Sequence, residues 1–341
     1  MKPLTASSWR PALWQAELAR AIKDPAELLR MLDLGDDLLP QAHRAAELFP
    51  LRVPHGFVAR MRKGDARDPL LLQVLPLGHE LEDVPNFSAD PVGDLAAMTV
   101  PGVLHKYHGR VLLVLTGACA VHCRYCFRRH FPYSEANPAT DHWNTALDYI
   151  RADHSISEVI LSGGDPLALS DARLSALVAQ LDTIPHLQRL RIQTRVPVVL
   201  PQRVDDALLH WMSATRLAVV IVLHINHANE LDDTTRAAFA QLERTGARLY
   251  NQAVLLRGIN DHAQTLQELS EALFTARVTP YYLHLLDRVS GAAHFDVAEL
   301  HAQQLMDEVH TRLPGYLVPR LVREQVAAPY KTPMPTIPIS T

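Results

Sequence analysis

Cysteine is nearly absent from this sequence: there are three, all between positions 119 and 126. An odd, clustered set cannot build a disulfide framework. Clustered thiols in a reducing compartment more often bind metal or do redox chemistry. Long apolar runs are missing too. The longest, Leu217 to Leu223, falls far short of the ~20 residues that span a bilayer, so no membrane association is expected. The segment Met1 to Arg10 has no apolar core and reads as no secretory signal; a cytoplasmic location is the expectation. Excess positive charge is also lacking. Lys and Arg number 33 against 37 Asp and Glu, for a formal net charge of −4. That excludes a general basic surface for nucleic acid or anionic lipid. No internal repeat is visible, and the one biased segment is a proline-rich tail.

What is present is ordinary globular composition, 48% hydrophobic and 21% charged over 341 residues. That length suits one large α/β domain with an appendage, or two domains. The first part reads as helices and loops. Trp14 to Ile22 has helical apolar spacing, and Asp24-Pro25 starts another helix with proline in its first turn. Further apolar stripes cover Ala45 to Phe49 and Phe57 to Met61.

From Arg110 short β-rich runs alternate with helical stretches. The runs are Val111 to Leu115, Glu158 to Leu161, Arg189 to Gln193, Leu217 to Leu223, Ala247 to Asn251 and Thr279 to Leu283. After the first they recur about every 30 residues, the size of a βα unit. Six such units predict a parallel sheet, curled as a partial (β/α)6 TIM-like barrel or left open. Strand-end loops then share one face, where active sites of barrels sit. One more strand-like run, Tyr316 to Val322, follows the sixth helix. The tail Pro329 to Pro338 holds four prolines and cannot be a helix. The expected organisation is an N-terminal helical region (1–104), a barrel (105–313) and a C-terminal strand with its tail (314–341).

The cysteines are spaced C-x3-C-x2-C, in Cys119-Ala-Val-His-Cys123-Arg-Tyr-Cys126. They directly follow the first barrel strand, which puts them in the first strand-to-helix loop. Thiolates are the usual ligands of iron–sulfur clusters. Three thiolates on a four-iron cube leave one iron free for a substrate or cofactor to chelate. The alternative is structural zinc with His122 or His130 as fourth ligand, but zinc favours C-x2-C pairs and a closed tetrahedral set.

This motif, with the aromatic Tyr125 two places after the second cysteine, resembles the radical S-adenosylmethionine (SAM) superfamily. In that superfamily SAM chelates the open iron, and one-electron reduction cleaves it to a 5′-deoxyadenosyl radical. The run Tyr125-Cys126-Phe127-Arg128-Arg129-His130-Phe131 is similar, more narrowly, to lysine 2,3-aminomutases. So are Ser162-Gly163-Gly164-Asp165-Pro166-Leu167, His224 to His227, Asn251 to Arg257 and Lys331-Thr332-Pro333. The match runs from about Leu51 onward and fits best the short branch that makes (R)-β-lysine for elongation factor P.

The resemblance assigns roles that the residues alone do not carry. Ser162-Gly163-Gly164-Asp165 reads by itself as a tight turn or a loop admitting close backbone approach. By resemblance it lies against SAM, as do His224 and Gln252, otherwise core or rim residues. Lys331, by itself an exposed tail lysine, becomes the lysine that carries pyridoxal 5′-phosphate (PLP). Lys106 and Arg110, just before the first barrel strand, take the PLP phosphate. Arg128, otherwise half of a solvated basic pair with Arg129, binds the substrate α-carboxylate as a bidentate fork. Asp287 and Glu324, unremarkable surface acids by themselves, hold the distal ammonium of lysine. Glu324 stands where the family has Asp, and the family's glycines before the PLP lysine are replaced by Ala327-Ala328-Pro329-Tyr330.

The implied reaction is a 1,2-amino shift from L-lysine to β-lysine, with a 4Fe–4S cluster, SAM and PLP as cofactors. The implied partners are a reductant protein such as flavodoxin or ferredoxin, an elongation factor P ligase that uses the product, and a possible second copy of the chain. No cysteines remain for the C-terminal zinc site of catabolic lysine mutases. Alternatives are a catabolic lysine mutase, a mutase for another amino acid, and a zinc-stabilised binding module.

Overall fold

A computed structural model describes residues 13–134 and 143–335. The Met1–Arg10 segment and Pro338 of the tail lie outside the described residues. The N-terminal part forms α1 (Leu13–Ala19), α2 (Pro25–Met31), α3 (Leu39–Leu48) and α4 (His55–Val58). Local chemistry sets the boundary of α2. Asp24 is extended, its side chain accepts from the Ala26 amide, and Pro25 occupies the first turn where its missing N–H is harmless.

The sheet has ten strands in sequence order among the described residues. They are β1 (Met98–Val100), β2 (Val103–Tyr107), β3 (Arg110–Val114), β4 (Glu158–Ser162), β5 (Arg189–Thr194), β6 (Ala218–Leu223), β7 (Arg248–Val254), β8 (Thr279–His284), β9 (Arg320–Arg323) and β10 (Thr332–Pro333). Strands β3 through β9 pair in parallel. Strands β1 and β2 run antiparallel at one edge and β10 at the other. The helices α5 (Asn144–Ala152), α6 (Asp171–Asp182), α7 (Val196–Val199), α8 (Asp206–Ala214), α9 (Asp233–Arg244), α10 (Ala263–Thr275) and α11 (Glu299–Arg312) follow β3 to β8, with the short α7 and α8 both after β5. This is the expected six-unit α/β barrel, open because β1 and β10 do not pair.

Two expectations change. Lys106 and Arg110 do not precede the first strand. Lys106 lies in β2 and Arg110 opens β3, joined by a two-residue turn in which Tyr107 pairs Arg110 and Gly109 has φ +73°. Glycine reaches that conformation without strain, so His108-Gly109 closes a hairpin. The run from Tyr316 to Val322 also divides. Gly315–Leu317 is a single tight helical turn, and the strand begins only at Arg320, after Pro319, which has no N–H for a ladder.

One apolar core runs from the N-terminal helices through the sheet to α11. Buried polar ties join the N-terminal helices to the barrel. The Arg60 guanidinium donates to the carbonyl of Val198 at 2.7 Å and to that of Glu230. A second small core, including Leu256, Leu286, Val289 and Phe295, lies in the loops after β7 and β8. Tyr125 of the cysteine loop packs edge-on against Phe295. No helix among the described residues is long and apolar enough to cross a membrane.

Candidate active site

The strand ends and the barrel interior open onto one cavity of about 800 Å³. Cys119, Cys123, Cys126, Lys106, Arg110, Arg128, Ser162, Gly163, Gly164, Asp165, His224, Gln252, Asp287, Glu324 and Lys331 all line it. They come from seven strands or the loops that follow them, which is how a barrel converges distant sequence on one site.

The cysteine loop leaves the end of β3 and is locked against the loop after β4. Gly164 donates to the carbonyl of Thr116 at 2.6 Å, and Asp165 donates to that of Ala118 at 2.8 Å. A Cβ on Gly163 would lie 2.5 Å from the Thr116 oxygen, and one on Gly164 would lie 2.5 Å from the Ala118 oxygen. Close approach of two backbones therefore requires both glycines. Asp165 uses its carboxylate on the next loop. It accepts from the Leu167 amide, the Thr194 hydroxyl, and the amides of Arg195 and Val196. Burial still pushes its pKa up to about 6.

The three thiols are free and partly accessible from the cavity. Burial pushes Cys119 well above the usual thiol range and Cys126 up to about 11, so neutral thiols are favoured until a cation binds. Among the described residues no three His, Cys, Asp or Glu side chains converge closely enough to hold a single metal ion. A zinc ion needs ligands converging on one point. Three clustered thiols on one loop are the donor type that iron–sulfur clusters use. The donor set fits a cluster.

Arg128 and Arg129 are not a solvated pair. Both are buried. Arg129 joins Arg124 on the carboxylate of Glu80, with Nη2 of Arg129 at 2.7 Å and Nε of Arg124 at 2.8 Å. This pins the cysteine loop to the N-terminal region. Arg128 donates through Nε to Asp94 at 2.7 Å and through Nη1 to the Ser162 hydroxyl at 3.0 Å.

Asp94 also holds Lys106 at 2.6 Å, and Lys106 in turn lies 3.0 Å from Glu324. Glu324 reaches Lys331 at 3.1 Å. A chain of alternating charge thus runs Arg128, Asp94, Lys106, Glu324, Lys331. Burial raises the pKa of Glu324, but the two ammonium groups outweigh it and bring it down to about 2. Asp287 has no cation at ion-pair distance among the described residues. Burial, reinforced by the Glu324 charge, pushes it up to about 7.

Lys331 also meets a neutral imidazole, His284 Nε2, at 3.2 Å. Burial and the Lys331 charge hold His284 well below the usual histidine range. His224 is brought to about 3, by burial first and then by Arg195 and Lys331; its Nε2 meets Gln193 Oε1 at 3.0 Å. Arg110 stacks over the Tyr107 ring at 4.7 Å. An amine with two nearby cations, all lining one cavity, suits a phosphorylated aldehyde cofactor such as PLP.

Sequence reasoning missed Asp94, His284 and Arg195. Asp94 sits in an irregular loop, and His284 looks like any strand residue. Arg195 follows β5 without a motif. Asn251, in one of the singled-out motifs, proves structural: its amide bonds both backbone groups of Ile225.

A family model described as a 4Fe-4S single cluster domain matches residues 107–188, which include the three cysteines. The chain is 51% identical to an L-lysine 2,3-aminomutase of Escherichia coli (strain K12), over 94% of each chain. It is 48% identical to that of Haemophilus influenzae, again over 94% of each. It is 32% identical to that of Clostridium subterminale, over 99% of this chain and 81% of the relative. Identity of that order along nearly the whole of both chains means that this protein belongs to the L-lysine 2,3-aminomutase family.

Proposed function

We propose that this aminomutase, an isomerase, converts L-lysine to (R)-β-lysine with PLP and SAM, and that the product serves the β-lysylation of elongation factor P. The observation that carries the substrate is Asp287. It is a carboxyl in the cavity with no cation at ion-pair distance among the described residues, pushed up to about 7 by burial and by Glu324. An incoming ammonium relieves both effects. A carboxylate side chain would meet repulsion there, so lysine is favoured over glutamate.

Cys119, Cys123 and Cys126 would hold the 4Fe–4S cluster. His224, Gln252 and the Ser162–Asp165 loop would hold SAM. Lys106, Arg110 and Lys331 would hold PLP. When bound, the cluster with SAM supplies hydrogen-atom abstraction, and PLP supplies a conjugated ring that lowers the barrier to nitrogen migration. The chain itself binds, orients and excludes water. Arg128, held by Asp94 and Ser162, presents a fixed guanidinium to the substrate α-carboxylate. Asp287 and Glu324 take the distal ammonium. His284 accepts a hydrogen bond from Lys331 and orients its amine in the cavity.

The elongation factor P role is supported by the resemblance of the motifs from Tyr125 to Lys331 to the short branch of the family. The test is anaerobic incubation with L-lysine, SAM, PLP and dithionite, followed by NMR and chiral separation. (R)-β-lysine is expected, and its transfer to elongation factor P by the partner ligase completes the assignment. Turnover of glutamate in preference to lysine would overturn the substrate reading. An (S) product, or one the ligase ignores, would overturn the elongation factor role.

A further inference from the structure

Arg195 donates directly to a cysteine sulfur, and neither the motifs nor the reaction account for it. It follows β5, is 4% exposed and lines the cavity. Its Nη1 donates to the sulfur of Cys123 at 2.8 Å and to the Tyr125 hydroxyl at 2.8 Å. Its Nη2 donates to Gln73 Oε1 at 2.6 Å and to Glu230 Oε2 at 2.9 Å. Its Nε is buried with no partner among the described residues.

The surroundings hold this guanidinium in one place. Asp165 accepts from its backbone amide at 2.7 Å. Glu230, fully buried, accepts from the Asn226 amide at 2.8 Å as well. The Asn226 side chain donates to Tyr125 at 2.6 Å and to Gln73 at 2.9 Å. Four segments therefore meet on one cation: the N-terminal region through Gln73, the cysteine loop through Tyr125, and the loops after β5 and β6. Apart from Nε the guanidinium is bonded on both amino groups, and a network joining four segments in this way is rigid.

We propose that Arg195 is a positioning residue for the metal centre, fixing the Cys123 sulfur by a charge-assisted hydrogen bond and raising the reduction potential of the cluster. The inference rests on the reading of the three cysteines as 4Fe–4S ligands. A donor to a ligand sulfur, and a positive charge beside it, favour the more negative, reduced cluster. Glu230 offsets part of that charge but lies on the far edge of the guanidinium, on Nη2 rather than on Nη1. The effect on the one-electron equilibrium should be about tenfold, ~59 mV.

The experiment is an anaerobic redox titration followed by electron paramagnetic resonance. It compares the reconstituted full-length protein with Arg195→Gln and Arg195→Lys, with iron content and the melting temperature of the iron-free chain as companions. Arg195→Gln should lower the midpoint by about that amount, and Arg195→Lys, which keeps the charge and loses the fork, by less. Iron loss in Arg195→Lys with an unchanged iron-free melting temperature also supports the proposal, because it isolates the ligand from the core. Iron-loaded variants with the parental midpoint overturn it. So does iron loss accompanied by a lowered iron-free melting temperature in Arg195→Lys, which would make the residue a core support. If the parent itself takes up no four-iron cluster, the cysteine reading fails instead.

Discussion

The Lys331 ammonium lies 3.1 Å from the Glu324 carboxylate, seven residues earlier in the chain. The pairing of β9 with β10 makes this possible, because Thr332 stands opposite Arg323 and folds the tail back over the strand end. Lys331 is thereby a fixed cavity residue rather than a tail lysine. Borohydride reduction of the PLP-loaded protein and peptide mapping should place the pyridoxyl mass on Lys331. The Lys331→Ala variant should carry none, and a label on Lys106 in the parent would refute the assignment.

Asp287 should make lysine binding depend on pH. Its folded pKa of about 7 exceeds the unfolded value of ~3.9. The folded chain therefore keeps a proton that the unfolded chain has lost. The stability this contributes is full below about pH 4 and is lost as pH rises through 7. A bound ammonium favours the ionised form, so the sign reverses for ligand. L-lysine should bind about tenfold tighter at pH 8 than at pH 6, a range in which lysine's distal ammonium stays charged. Calorimetry of the parent and of Asp287→Asn checks this. Equal steepness in both would remove Asp287 from the pocket.

Glu80 holds two buried guanidinium groups, those of Arg124 and Arg129. Removing the charge leaves them uncompensated, and breaking such a pair costs ~3–5 kcal/mol. Glu80→Gln should melt several degrees below the parent, whereas Glu82→Gln, at an exposed site, should not. Matching melting curves for the two variants would show that the cysteine loop is anchored elsewhere.

Gly164→Ala tests the contact between the two loops. The added Cβ would lie 2.5 Å from the Ala118 carbonyl, next to Cys119. Backbone must move, since no flexible side chain can give way. Iron content after reconstitution should drop severalfold while far-ultraviolet circular dichroism stays parental. Full iron retention would mean that the loop tolerates the shift.

Much of this protein was legible because its information is local. Short β-rich runs at βα spacing announce six of the seven parallel strands. Asp24-Pro25 announces a helix start, and C-x3-C-x2-C announces a metal centre, because each depends on residues a few positions apart. The hairpin through His108-Gly109 was equally local and was passed over, since Lys106 and Tyr107 interrupt its apolar alternation. Tertiary structure alone decided the charges. Asp94, Glu80 and Arg195 resemble any acid or base in the sequence, and their partners lie 34 to 72 positions away in the cases of Arg128, Arg124 and Cys123. Glu324 and Asp287 are both carboxylates near strand ends, yet one is brought to about 2 and the other to about 7. Ionisation depends on which charges the fold brings within a few ångströms, and on how much water it removes, neither of which has a period or a spacing along the chain.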